Sequence, residues 1–227
     1  MPLSRADLAQ ITAALNTLSA HARGELTAAL SRLDLSDLPV ARAAVEQYFP
    51  ALVGQYGAMA AVLGGDVASA QIADLGVRPV VQAVPGVDVG RAAARANWAM
   101  GTPNPTGNLA VLLDELVKQP YRATVAKSSQ ASGVRYARVP QGATCEWCLV
   151  LAGRGAVYHS AGSAGASRKY HGECDCVPVP MRTENDYPEG YNPDALMQRY
   201  LTARDHADSG NLAKIAAAAR FTFHTSH

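Results

Sequence analysis

Apolar residues return at helical spacing through the first third of the chain. Leu8, Ile11, Leu15, Leu18 and Ala22 recur every three or four positions. Ser4-x-x-Asp7 stands in front of them as a capping box, which predicts a helix to about Arg32. A second helix is expected after Ser36 or Asp37, with Pro39 in its first turn and Ala41, Val45, Tyr48, Leu52 and Tyr56 along its stripe. Pro50 should kink or interrupt it, Gly64-Gly65 is a weak point, and Gly76 is a stop. Two long helices on a short link predict an antiparallel pair over residues 1–76.

A helical middle region, 77–133, comes next. Pro79, Pro85 and Gly86 mark a connection over 77–88, and Asp88 can cap a short helix over 89–100. Gly101 to Pro105 breaks that helix. Another is expected from about Gly107 to Lys118, and Pro120 should restart a further one that reaches Ala131 before Gly133.

Beyond Gly133 the period changes to two. Val134–Val139 alternates as a strand, and Cys174–Val179 alternates as its partner at a sheet edge, given the prolines. These strands bracket a module over 134–181. Residues 182–227 hold a helix from Asn192-Pro193 to about Ala207, a short one from Asn211 to about Phe221, and a loose tail. The fold class is therefore mainly α with a small zinc-stapled α+β module: long N-terminal antiparallel helices, then a short hairpin-like sheet region.

The zinc staple rests on cysteine placement. All four cysteines lie between positions 145 and 176, as Cys145-x-x-Cys148 and His171-x-x-Cys174-x-Cys176. Zinc takes four ligands in a tetrahedron, so four of Cys145, Cys148, His171, Cys174 and Cys176 suffice. Cys145, Cys148 and Cys174 are the favoured three, with His171 or Cys176 completing the set. Disulfides and a redox pair are the competing readings; the redox pair lacks the βαβ neighbourhood it would need. A thiolate-rich closed set leaves no open position for water, so the zinc reads as structural and no catalytic residue is assigned.

Composition narrows the rest. Lys and Arg number 20 against 19 Asp and Glu, with six His, so no general attraction to nucleic acid or acidic membranes follows. Arg154, Arg168 and Lys169 form a local basic cluster that could contact phosphate or DNA, set against plain solvated loop charge. His159, Ser160 and Ser167 invite a Ser/His protease reading, but no acidic residue stands ready to orient the histidine. Trp98 and Trp147 read as packing anchors. No apolar run is long enough to span a bilayer, and the charged start points to synthesis and folding in a reducing cytoplasm.

From Thr144-Cys145-x-x-Cys148 through Leu149-x-Leu151-Ala152-Gly153-Arg154-Gly155 to Tyr170-His171-x-x-Cys174-x-Cys176-x-Pro178-x-Pro180, the chain resembles the tailed-phage minor capsid, or head-morphogenesis, family known after the F protein of phage Mu, in its actinobacteriophage form. The sharp likeness covers 143–181. His171-Gly172-Glu173-Cys174 departs from the family's His-Pro-Asn-Cys without disturbing the ligands. The resemblance implies a portal-associated protein of the virion head interior. It would act in procapsid assembly and DNA packaging or delivery, with the portal protein, the major capsid protein or scaffold, and packaged DNA as partners. A capsid maturation protease and a zinc-dependent DNA-binding or nuclease module are the alternatives.

Overall fold

The computed structural model describes residues 2–84, 86–142, 146–158, 170, 174–208, 210–211, 214–215 and 217–218, with only the backbone of Glu146 and Trp147. Four long helices make the body: α1 (Arg5–Leu30), α2 (Leu38–Asp74), α3 (Val89–Met100) and α4 (Pro105–Ala131). They are followed by β1 (Arg135–Val139), a short α5 (Glu146–Ala152), β2 (Val177–Met181) and α6 (Pro193–Ala207). The expected class, mainly helical with a small two-stranded sheet beside a cysteine cluster, is the observed one.

The helix starts follow the side-chain chemistry. Ser4 and Asp7 close the capping box of α1; Asp37, Asp88, Asn104 and Asn192 each accept a backbone N–H at the head of α2, α3, α4 and α6. The stops of α2 and α4 are alike. Gly76 and Gly133 take φ near +70°, and the following Val77 and Val134 donate back to Ile72 and Ser129, so each helix turns straight into extended chain.

Two expected breaks are absent. Pro50 lies inside a continuous α2, and Pro120 lies inside a single α4 instead of starting a new helix. Both prolines are buried. Pro120 packs on Gly57, where an added Cβ would stand 3.1 Å from the proline ring. Gly64, expected as a weak point, is instead the closest approach of α2 to α4: a Cβ there would lie 2.8 Å from the Tyr121 carbonyl oxygen. Tight packing here offsets the N–H that Pro120 withholds. The principal partner of α2 is thus α4, with α1 touching both. Tyr48 is exposed, and Phe49 occupies the core beside Val45, Leu52 and Val53. Trp98 is 69% exposed and is no packing anchor.

One core unites α1 to α4 through Leu26, Phe49, Ala96, Leu113 and Val117. A second gathers Leu8 and Ile11 of α1, Ala68 and Ile72 of α2, Tyr121 and Val125 of α4, the hairpin residues Ala137, Val179 and Met181, and Tyr191. β1 and β2 pair antiparallel from Arg135↔Met181 to Val139↔Val177. The Tyr136 N–H donates to Tyr158 on the other side, so Pro180 and Pro178 stand at pairs where no N–H is asked of them. Both strands are buried on nearly every position, so the hairpin is enclosed. The expected partner strand begins at Val177, which leaves Cys174 to Cys176 in the extended approach to it.

Residues 77–84 run extended along α4. The N–H groups of Val80, Gln82 and Val84 donate to the hydroxyls of Ser132, Ser128 and Thr124 at 2.8, 2.9 and 2.9 Å. The match is geometric. Four helix residues rise about 6 Å. Two extended residues span about 6.6 Å. A hydroxyl every fourth residue therefore meets every second N–H.

Candidate metal centre

Cys148 sits on α5, in a segment expected only as part of a cysteine knuckle. The seven-residue helix is fixed at its C-terminal end, where carbonyls lack helical partners. The Tyr158 hydroxyl donates to the Leu151 carbonyl at 2.7 Å, and the Tyr191 hydroxyl to that of Ala152 at 2.5 Å. Burial pushes the Tyr158 hydroxyl up to about 12, against the opposing charges of Arg154 and Arg138, so it stays a donor. Tyr158 also bridges to Tyr136 and stacks on its ring at 5.3 Å. The helix carrying Cys148 is thereby fastened to the strand that leads into it.

Cys174 and Cys176 approach from the other side, on the chain entering β2. The ligand atoms of Cys148, Cys174 and Cys176 all lie within 4.8 Å of one another, with Cys148 and Cys174 sulfurs 3.6 Å apart. None of the three is in a disulfide, and all are buried. A disulfide would need sulfurs about 2.05 Å apart. A tetrahedral zinc with Zn–S near 2.3 Å places them about 3.8 Å apart. The spacing fits a shared metal and not a bridge. Three buried thiols in this arrangement can hold a metal ion.

Two arginines complete the surroundings. Arg138 is 1% exposed and Arg122 is 2% exposed. Their guanidinium carbons lie 3.8 and 4.2 Å from the Tyr170 ring centroid. Arg138 donates to the Cys174 sulfur at 3.7 Å, and Arg122 donates to the Cys174 carbonyl. Burial works against the Arg138 cation, but its electrostatic interactions with Tyr170 and with the sulfurs of Cys176, Cys148 and Cys174 outweigh burial and hold its charge. Hydrogen bonds from Cys148 and Cys176, then the two arginine charges, pull the Cys174 thiol well below its ordinary value. Cys176 moves the other way: its bond with Cys148 is outweighed by its bond to Cys174 and by burial. Burial also raises Tyr170, which keeps it a neutral ring for the flanking cations.

The sequence singled out Cys148, Cys174 and Cys176, and the fold brings them together. Cys145 and His171 lie outside the described residues, as do Arg168, Lys169, His159, Ser160 and Ser167. Arg154 is exposed just after α5, beside Tyr158. Arg122 and Arg138 were not anticipated. A signal existed for Arg138: it shares the period-two face of Tyr136, whereas the strand's other charged residue, Arg135, stands at its exposed first position. Arg122 offered none, because an arginine on a long helix is ordinarily solvent-facing.

The family model described as VG15 protein matches residues 2–203. The chain belongs to the VG15 protein family. This is a phage protein family, and the match takes in the whole helical body, the hairpin, all four cysteines and most of α6. No curated protein and no solved structure matches the chain. No helix among the described residues is long and apolar enough to cross a membrane.

Proposed function

We propose that this phage protein is a minor capsid, head-morphogenesis protein. It stands with the portal inside the head and acts in procapsid assembly and in DNA packaging and delivery. The observation that carries the reading is the convergence of Cys148, Cys174 and Cys176, because they belong to the motif that resembles the Mu F family. Membership of a phage family supports it.

The metal is zinc, held by Cys148, Cys174 and Cys176, with Cys145 or His171 as the fourth ligand. Thiolate donors at this spacing suit zinc, and a closed set makes it structural. Zinc with three thiolates and a neutral histidine carries one net negative charge, and a fourth thiolate adds another. Arg138 and Arg122 supply buried positive charge against the same cysteine. In this role the ion ties α5 to the start of β2, and so fixes the hairpin against α2 and α4. Arg154, Arg168 and Lys169 would then offer a basic surface to packaged DNA.

Quantitative mass spectrometry of purified procapsids and mature virions tests the role. A few intact copies in both particles, cross-linking to the portal protein, is the expected result. Cleavage or loss of the chain in the virion, alongside processed major capsid protein, would replace this reading with a maturation protease.

A further inference from the structure

The strap between α2 and α3 is half of a β-ladder. Val80, Gln82 and Val84 turn their N–H groups to α4. In extended chain, alternate residues present their backbone groups to opposite edges. The N–H and C=O groups of Val81 and Ala83 therefore face away from α4. Among the described residues these groups have no hydrogen-bond partner, and Val80 to Ala83 are exposed to solvent. A free row of this kind is a template for one more strand.

The surface beside it is apolar. Val81 packs 3.4 Å from the Cβ position of Gly65 on α2. One and two turns before Gly65 on that helix stand Val62 and Met59, exposed at 66% and 47%. From Gln47 to Gly65 α2 carries no charged residue at all.

The sequence names the occupant. Residues 79–85 read Pro-Val-Val-Gln-Ala-Val-Pro, which is nearly the same in both directions about Gln82. We propose that the free edge takes the same edge of a second copy, antiparallel about a two-fold axis at Gln82. Val81 then faces Ala83 of the partner subunit, Ala83 faces Val81 of the partner subunit, and each pair exchanges both N–H···O bonds. Gln82 meets Gln82 of the partner subunit at the axis, and Val80 meets Val84 of the partner subunit, so no like charges are opposed. Pro79 holds the next position of the same parity and has no N–H to give, which limits the length of the ladder. The opposite edge of each strap is already held by α4, so the pairing closes as a dimer and no sheet extends. The inference is independent of what the cysteines bind.

Sedimentation velocity on the full chain over a dilution series tests it, together with hydrogen exchange of the strap. The expected result is a concentration-dependent dimer in which the Val81 and Ala83 amides gain protection, while Val80, Gln82 and Val84 are already slow in the monomer. Ala83→Pro removes only an outward N–H and should weaken the dimer about tenfold or more with the melting of the monomer unchanged; Val81→Pro should weaken it as much, but also gives up the valine contact at Gly65. A wild-type chain that stays monomeric up to its solubility limit would overturn the proposal. So would a dimer that survives both substitutions, or one that leaves the Val81 and Ala83 amides unprotected.

Discussion

Leu109, Leu112, Leu113, Leu116 and Val117 fill the buried face of the first half of α4; Lys118, Arg122, Thr124, Ser128 and Ser129 crowd into that of the second. Both halves are enclosed, by different means. The first half meets apolar side chains of α2 and α3, where burial is favourable in any orientation. In the second half each of these polar side chains meets at least one partner, although the Tyr121 hydroxyl and two of the Arg122 nitrogens are buried without a hydrogen bond among the described residues. Lys118 pairs with Asp114, Arg122 reaches Cys174, Thr124 and Ser128 hold the strap, and Ser129 returns to the Val125 carbonyl. Apolar burial stabilises the body, while the polar half decides which segments lie against it. A group in the polar half that loses its partner pays the full desolvation cost.

The sharpest way to break this comparison is to remove a ligand. Cys174→Ser or Cys148→Ser, or strong chelation, should expose residues 134–181 to limited proteolysis while far-ultraviolet circular dichroism still reports the helices of the body. Unchanged protease resistance and helicity in both variants would mean that no metal holds this region. The converse change lies in the body: Phe49→Ala should cost about 3–5 kcal/mol by calorimetry, with the metal content per folded chain unaltered. Arg122→Met keeps much of the volume but leaves the Cys174 carbonyl without its donor. A loss of about 2 kcal/mol is expected, with protease cuts appearing in the module before the body. Ser128→Ala removes one strap bond and should cost about 1 kcal/mol, read as faster exchange of the Gln82 amide.

The same contrast governs what could be read from the sequence. Caps and stops are local chemistry, so Ser4, Asp88, Asn192, Gly76 and Gly133 mark the observed boundaries. Pro120 misled because its cost is local while the packing that offsets it comes from another helix, and Pro50 is accommodated without interrupting α2. Tyr48 and Phe49 are adjacent, and a stripe drawn by spacing alone cannot choose between neighbours. The cysteine cluster was legible because few side chains bind a metal and the spacing is short. The Arg122–Tyr170–Arg138 stack joins α4 and β1 to Tyr170, which is far from both in sequence, and no single stretch of sequence displays it. The strap hydroxyls were hidden in the same way: Thr124, Ser128 and Ser132 look like an ordinary polar helix face until an extended chain is laid on them.

Metal stoichiometry of the full chain, purified without a metal-chelating tag and weighed by native mass spectrometry, tests the central claim most directly. A single zinc ion per chain is expected, lost from Cys148→Ser. A metal-free chain whose four thiols all react with a thiol reagent in native buffer would contradict it.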